Sequence, residues 1–327
     1  MKVIIPVAGM GTRLRPHTHT TPKALVQVAG KPILGHILDE IVPLGVRDVV
    51  LVTGVMGERI GEYVAAAYPD LRPCYVRQEE TKGIGHAIWL TRACVDDGPT
   101  LIVLGDTVVT ADFKALVAGP PTRIGVKEVA NPSLFGVVEV EGDRVVSLVE
   151  KPDVPPSNLA IVGLYFITNT KLLFECLNDL VENDIRTKGE YQLTDALKMM
   201  LERGQEMRTF PVEGWYDCGR AEALLETNRF LLTRSASNDV KIPGSIVIPP
   251  VSIDPTAVIE RSVVGPYASI AARSVVRDSI VRDSILNADA RVECSLLDRS
   301  LIGEHAFVKG TFQRLNVGDS SEIEIGG

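Results

Sequence analysis

Cysteine is scarce in this chain, and basic residues are outnumbered by acidic ones. Its 327 residues include five cysteines, an odd number without the spacing of metal ligands, and 34 Lys and Arg against 42 Asp and Glu. We therefore expect reduced thiols, as is usual in the cytosol. The formal net charge of −8 argues against general nucleic-acid binding, because that activity requires a broad basic face.

Long apolar runs and a leader pattern are also missing. No apolar run is long enough to span a bilayer, and no charged-then-apolar segment opens the chain. These absences predict a cytoplasmic protein with no membrane partner. With 45% hydrophobic residues the chain can nevertheless bury a large core, and its length favours more than one domain.

The most informative segment that is present is a glycine-bearing loop near the N-terminus. It has the sequence PVAGMGTRLRP at 6–16 and follows the apolar run 2–5, which predicts a buried strand. Glycine lets backbone N–H groups approach a ligand, and Arg13 and Lys23 add positive charge. Leu14 stands where the dinucleotide fingerprint needs a third glycine, and the P-loop pattern is not met either. The loop therefore predicts a phosphate-binding site of another kind.

Up to about residue 232 the pattern alternates strands with helices. Strands are predicted at 48–53 and 100–104, and a hairpin at 136–149. One helix is predicted to begin at Ile33 and to end at Gly45, and another to span 58–68. This alternation predicts a Rossmann-like α/β fold with an open, mostly parallel sheet, whose ligands bind at the carboxyl ends of strands. The glycine loop and Asp106 both follow predicted strands and should lie at that edge.

From about residue 240 helical periodicity is replaced by aliphatic residues every five or six positions, from Ile253 to Val308. Such a repeat is typical of a parallel β-helix, with an ordinary β-sandwich as the alternative. We predict an α/β domain at 1–234, a linker at 235–244 and a β-helix at 245–327. The open end and aliphatic faces of a β-helix favour a homo-oligomer.

The loop and its neighbours resemble the signature of the sugar-1-phosphate nucleotidylyltransferases. The resemblance is carried by Gly-x-Gly-Thr-Arg-Leu-x-Pro-x-Thr at 9–18, by Pro22-Lys23 and by Gly30-Lys31-Pro32. Members of that family join a nucleoside triphosphate to a sugar 1-phosphate and release pyrophosphate. The resemblance implies that 1–234 is the catalytic domain. It also implies that the tail is a left-handed β-helix, as in long-form glucose-1-phosphate thymidylyltransferases.

The resemblance also implies roles for individual residues. Asp106 and Asp217 would hold Mg²⁺, which neutralises the phosphates while the sugar phosphate attacks the α-phosphorus. Arg13 would stabilise the β- and γ-phosphates, Lys23 the phosphate nearer the reacting centre, and Lys151 the sugar phosphate. Further nucleotide contacts would come from Ala8, Gly9, Gly11 and Thr12, and sugar contacts from Gly136, Glu150, Gly163, Tyr165 and Glu190.

Gln78 and Gly83 are the candidates for base recognition, because a glutamine amide can both donate to and accept from the imide edge of uracil or thymine. We therefore expect transfer from UTP or dTTP to glucose 1-phosphate. One alternative is a guanylyltransferase acting on mannose 1-phosphate. From a different class, the chain could be a non-catalytic subunit that binds nucleotide sugars. Acetyl transfer by the tail, with His305 as the base, is a further alternative.

Overall fold

The computed structural model describes residues 1–235 and 240–311. The backbone divides into two compact units, one of Met1–Thr227 and one that begins at Asn228. The predicted linker at 235–244 lies partly outside the described residues, and so does the predicted β-helix after residue 311. The predicted domain boundaries therefore stay predictions.

The first unit contains thirteen strands and most of the helices. The strands are β1 (Lys2–Pro6), β2 (Gln27–Val28), β3 (Lys31–Pro32), β4 (Asp48–Thr53), β5 (Arg72–Arg77), β6 (Thr100–Val103), β7 (Thr107–Thr110), β8 (Thr122–Glu128), β9 (Gly136–Glu141), β10 (Arg144–Glu150), β11 (Leu159–Ile167), β12 (Met207–Pro211) and β13 (Gly214–Asp217). The helices are α1 (Ile33–Ile41), α2 (Gly57–Ala67), α3 (Ile84–Leu90), α4 (Phe113–Leu116), α5 (Thr170–Glu182), α6 (Leu193–Glu202) and α7 (Ala221–Arg234).

The main sheet has nine strands in the order β5-β4-β1-β6-β11-β8-β12-β10-β9. Its first four strands are parallel, as the βαβ alternation predicts. However, β11 is antiparallel to both β6 and β8, and the hairpin strands β9 and β10 are antiparallel to each other. The sheet is therefore mixed rather than mostly parallel. In the hairpin the reason is the short turn at Gly142, because a parallel pair needs a much longer crossover.

The parallel strands position the phosphate loop. The neighbours β1 and β6 run in the same direction, so the loop after Pro6 and the residues after Val103 emerge at one edge. Gly105 fixes this junction, because its N–H donates to the carbonyl of Pro6 at 3.1 Å. A Cβ on Gly105 would lie 2.7 Å from that carbonyl oxygen, so no larger residue fits.

The second unit contains the end of α7, from Asn228, followed by short strands in three parallel sheets. Its strands are β14 (Ile246–Val247), β15 (Val251–Ile253), β16 (Val258–Glu260), β17 (Val263–Val264), β18 (Ala268–Ile270), β19 (Val275–Arg277), β20 (Ile280–Arg282), β21 (Ile285–Leu286), β22 (Arg291–Glu293), β23 (Leu296–Asp298), β24 (Leu301–Ile302) and β25 (Phe307–Lys309). Each strand pairs with the third one after it, giving the sheets β14-β17-β20-β23, β15-β18-β21-β24 and β16-β19-β22-β25. This arrangement fits a β-helix.

Two cysteines differ from the expectation of reduced thiols. Cys74 on β5 and Cys94 after α3 form a disulfide, because the fold brings their Cα atoms to 6.6 Å although they are 20 residues apart in sequence. Cys176 and Cys218 are buried free thiols, and Cys294 is a half-buried one.

Within the described part of the chain, no helix is long and apolar enough to cross a lipid bilayer.

Candidate active site

Two cavities open at the edge where β1 and β6 end, and they share Ile84, Leu104 and Asp106 in their walls. The first has a volume of about 220 Å³, and Ala8 and Gly9 of the glycine loop lie in its wall. The second has a volume of about 570 Å³. Most of the predicted site residues line one of them. The first cavity has Ala8, Gly9, Lys23, Gln78, Gly83, Asp106 and Glu190, and the second has Arg13, Asp106, Gly136, Glu150, Lys151, Gly163, Tyr165 and Asp217.

A cation lies between two carboxylates where the cavities meet. The Nζ of Lys23 donates to Oδ2 of Asp106 at 2.6 Å and lies 3.9 Å from Oδ1 of Asp217. The Lys23 side chain is only 8% exposed, whereas those of Asp106 and Asp217 are 43% and 42% exposed. The two carboxylates therefore converge on one point while remaining open to a ligand.

The pairing of β7 with β13 brings these aspartates together. Asp217 is opposite Thr107 in this antiparallel pair. The N–H of Cys218 donates to the carbonyl of Asp106 at 3.1 Å, which extends the ladder by one bond. Burial raises the pKa of the Cys218 thiol to about 12, so the thiol stays protonated beside the two carboxylates.

The glycine loop supports Lys23 as well as lining the first cavity. Gly11 has φ of 60°, in the left-handed region, and a Cβ on it would lie 3.0 Å from Cβ of Lys23. Its carbonyl accepts from Thr18 Oγ1 at 2.7 Å. Gly11 and Thr12 are outside the lining of either cavity, so the nucleotide contacts expected of them stay predictions.

Arg13 lies in the second cavity, although its predicted partners are the phosphates of the triphosphate. A Cβ placed on Gly219 would lie 3.0 Å from Nη2 of Arg13. It would lie 2.8 Å and 3.3 Å from the two carboxylate oxygens of Asp217. The guanidinium of Arg13 and the carboxylate of Asp217 therefore both lie close to Gly219.

The sugar-site candidates form a connected group around Glu150 at the end of β10. Thr194 donates from Oγ1 to Oε2 of Glu150 at 2.6 Å, and Lys151 Nζ lies 3.5 Å from Oε1. Gly136 makes room for this carboxylate, because a Cβ there would lie 2.9 Å from Oε2. Burial raises the pKa of Tyr165, and the nearby charge of Glu150 raises it further, so the phenol stays protonated.

Gly163 shapes the wall between β11 and Leu104. Its φ of 80° is left-handed, and its carbonyl accepts from the N–H of Leu104 at 2.9 Å. The register of β11 against β8 shifts between Ile161 and Tyr165, so the strand bulges where it lines the second cavity. The prediction that a glycine lets the backbone approach this cavity agrees with that geometry.

The base-site candidates line the first cavity together. Gln78 is 6% exposed, and its Nε2 donates to the carbonyl of Gly83 at 3.2 Å. Glu190, predicted as a sugar contact, lies in the wall of this cavity instead. A backbone hydrogen bond explains the position of Glu190. The N–H of Tyr191 donates to the carbonyl of Lys82 at 2.9 Å, and this bond places Glu190 against Gly83.

Several lining residues were missed in the sequence. Thr194, Trp215 and Arg220 line the second cavity, and Thr81 lines the first. Thr194 stands four positions after Glu190, and Trp215 stands two positions before Asp217, so both are close in sequence to predicted site residues. Arg220 stands three positions after Asp217, and no motif of its own marks it.

Known proteins resemble this chain over its whole length. Residues 2–234, which include both cavities, match the family described as nucleotidyl transferase. A glucose-1-phosphate thymidylyltransferase of Streptomyces antibioticus is 30% identical over 99% of this chain and 99% of its own length. A UTP–glucose-1-phosphate uridylyltransferase of Haloferax volcanii is 31% identical over 66% of this chain and 89% of its own. The structure of a UDP-glucose pyrophosphorylase complexed with UDP-glucose has a TM-score of 0.62 at 27% identity, over 72% of this chain and 99% of that one.

Proposed function

This chain belongs to the nucleotidyl transferase family, and on that basis we propose that it joins UTP or dTTP to glucose 1-phosphate. The products are a nucleotide sugar and pyrophosphate. The observation that carries this proposal is the pair of cavities that meet at Asp106. The smaller one takes the nucleotide, and the larger one takes the sugar phosphate.

The reaction requires that two anions meet in line. An oxygen of the sugar 1-phosphate forms a bond to the α-phosphorus, the bond from that phosphorus to the bridging oxygen breaks, and pyrophosphate leaves with the electron pair. No protein nucleophile is needed, because positioning and charge stabilisation supply the rate. Lys23, Arg13 and Lys151 line the two cavities and supply the positive charge.

Asp106 and Asp217 fit a divalent cation. Both carboxylates lie within 3.9 Å of the Lys23 ammonium, so their oxygens converge on a position that already holds a positive charge. Mg²⁺ is usually bound by one or two carboxylates, with phosphates and water completing its ligands. Among the described residues there is no group of three or more His, Cys, Asp or Glu that could hold a metal. We propose Mg²⁺ at this pair, where it would neutralise the reacting phosphates.

The polar groups of the second cavity suit a sugar phosphate. Thr194 occupies Oε2 of Glu150, so Oε1 of that carboxylate can accept from sugar hydroxyls. Lys151, 3.5 Å from Oε1, would hold the phosphate. In the first cavity, Gln78 and Gly83 would read the base.

For the second unit we propose a left-handed β-helix that joins subunits. One face of the sheet β14-β17-β20-β23 carries a row of aliphatic residues in register, which we call the aliphatic stripe: Ile246, Val263, Ile280 and Leu296. Leu296 is 76% exposed and Ile246 61% exposed in the single chain. A second copy that covered this face would remove apolar surface from water.

A substrate screen tests the proposed reaction. Glucose 1-phosphate and Mg²⁺ are supplied with UTP, dTTP, GTP, ATP or CTP in turn, and released pyrophosphate is measured. We expect release with UTP or dTTP, loss of release when EDTA removes the metal, and recovery when Mg²⁺ is restored. A preference for GTP and mannose 1-phosphate would move the assignment to guanylyl transfer. No release with any triphosphate and several sugar phosphates would contradict the proposal and favour a nucleotide-sugar-binding subunit.

A further inference from the structure

We propose that His86 is a positioning residue that fixes the Gln78 side-chain amide, so that the base meets a hydrogen-bond acceptor. The inference rests on the proposed function, because it concerns how the first cavity selects its nucleotide. His86 itself lies outside the lining of that cavity and acts through Gln78.

Both amide N–H groups of Gln78 are directed into the protein. Nε2 lies 3.2 Å from the carbonyl oxygen of Gly83 and 3.2 Å from Nδ1 of His86. The carbonyl can only accept, so the nitrogen end of the amide must face it. No residue within the described part of the chain donates to Oε1. Gln78 therefore offers the cavity an acceptor, rather than the donor and acceptor pair expected from the sequence.

The His86 ring lies against two other aromatic rings, one stacked and one tilted. Its centroid lies 5.8 Å from that of Trp89, at an interplanar angle of 24°, and 6.1 Å from that of Tyr191, at 31°. The guanidinium of Arg92 lies 3.9 Å from the Trp89 ring, and that of Arg186 lies 4.7 Å from the Tyr191 ring. Each ring that neighbours His86 thus has a cation–π contact of its own, and these contacts favour one position of the His86 ring beside Gln78.

The surroundings of His86 favour its neutral form. Burial lowers its pKa and the charge of Lys82 lowers it further, while Glu80 opposes this effect. Beyond the stacked rings are the two guanidinium groups and Asp184, which accepts from the Tyr191 hydroxyl. A neutral ring can accept at Nδ1 when its proton is on Nε2. Protonation would place an N–H at Nδ1 against the N–H of Gln78, so the amide would lose this partner.

A fixed acceptor distinguishes bases by the ring nitrogen that faces it. Uracil and thymine have an N3–H that can donate to Oε1 of Gln78. Cytosine has a lone pair on N3, which Oε1 would repel. An amide that could turn over would accommodate either ring. We therefore infer that the contact between Gln78 and His86 maintains discrimination against cytidine nucleotides.

Two substitutions distinguish the effect of the Nδ1 acceptor of His86 from the effect of its aromatic ring. His86→Phe keeps an aromatic ring between Trp89 and Tyr191 but removes the acceptor. His86→Asn can place an oxygen at the δ position and does not titrate. The measurements are kcat and KM for pyrophosphate release with UTP against CTP, and with dTTP against dCTP.

We expect His86→Phe to lose roughly tenfold in selectivity, mainly through KM for the preferred nucleotide, the scale of one discriminating hydrogen bond. His86→Asn should retain most of the selectivity. Because burial lowers the pKa of His86, selectivity in the wild type should fall only at a pH below 6.5, the ordinary pKa of histidine. His86→Asn should show no such fall.

The outcomes separate this inference from the proposed function. If His86→Phe folds and discriminates like the wild type, the role of His86 is wrong while the proposed function stands. The role is also wrong if the selectivity of His86→Asn shows the same pH dependence as that of the wild type. If His86→Phe does not fold, the comparison of His86→Asn with the wild type is sufficient to test the role. If calorimetry shows that the wild type binds no UTP or dTTP, and no pyrophosphate is released, the inference and the proposed function both fall.

Discussion

At the scale of single residues, the site depends on how Lys23 is placed between Asp106 and Asp217. The sequence predicted all three residues, because they stand in recognisable motifs. It could not predict that Lys23 pairs with Asp106 at 2.6 Å, because motifs specify residue types and not distances. Both carboxylates are partly exposed, and solvated charges contribute little to the free energy of unfolding. Their removal should therefore change activity much more than stability.

We predict that Asp106→Asn and Asp217→Asn each lower kcat by about 100-fold or more, the scale of one charge-stabilising group lost from a transition state. Both variants should melt within a few degrees of the wild type, because each side chain is about two-fifths exposed. Steady-state assays and thermal melts measure the two effects separately.

Asp70→Asn is the matched control, because this 83% exposed aspartate only pairs with Arg47 at 3.5 Å. It should retain the activity of the wild type. Turnover near the wild-type value in both active-site variants would show that the metal site has been misplaced.

Other residues show where reasoning from the sequence stops. Under the proposed assignment of the cavities, Arg13 lines the sugar-phosphate cavity and Glu190 the nucleotide cavity, although the resemblance implied a triphosphate contact for Arg13 and a sugar contact for Glu190. Thr194 and His86 were not singled out, yet they lie within hydrogen-bond distance of Glu150 and Gln78. All four depend on contacts made by folding, which residue types and spacing do not contain.

At the scale of elements, strongly periodic segments were predicted well and pairing directions were not. The predicted strand 48–53 coincides with β4, because an unbroken apolar pattern determines it. The helix predicted from Ile33 to Gly45 contains α1, but α1 ends at Ile41 and a short 3₁₀ helix at Val42–Leu44 leads on to Gly45. The antiparallel direction of β11 leaves no trace in its apolar sequence, since a buried strand looks the same in either direction. The bulge in β11 is equally hidden, although the glycine at its centre was noticed.

We predict that Gly163→Ala lowers both stability and activity. The left-handed backbone costs an alanine about 1–2 kcal/mol. The new Cβ would also lie 2.7 Å from Leu104 Cγ, which adds about 1–3 kcal/mol of overpacking. Because both residues line the second cavity, KM for glucose 1-phosphate should rise. Denaturant unfolding and steady-state kinetics measure the two effects.

Gly142→Ala separates strain from crowding. This hairpin glycine has φ of 66°, and a Cβ on it would meet nothing within 4 Å. We therefore expect only the cost of the left-handed backbone and unchanged kinetics. Equal losses of stability in the two variants would show that the contact with Leu104 is not what requires glycine at 163.

At the scale of the whole molecule, the second unit shows how a short repeat generates a long structure. Arg261 pairs with Asp278, 17 positions later, and Arg273 with Asp289, 16 positions later. Three steps of five or six residues give this spacing, so three aliphatic periods of the sequence make up one coil. The sequence could predict the repeat because every coil buries the same kind of side chain. It could not predict which outer face would be left apolar.

That outer face carries the last prediction, which concerns the subunit number. If the aliphatic stripe joins subunits, Leu296→Glu places a charge in the contact, and a charge buried without a partner opposes association. The variant should therefore be smaller than the wild type by light scattering after size-exclusion chromatography. Val258→Glu is the control, because Val258 is a 40% exposed aliphatic residue on the sheet β16-β19-β22-β25. A monomeric wild type, or dissociation by the control alone, would exclude the stripe as the interface. Dissociation by Leu296→Glu alone would support it, because the two variants add the same charge and differ only in the face that carries it.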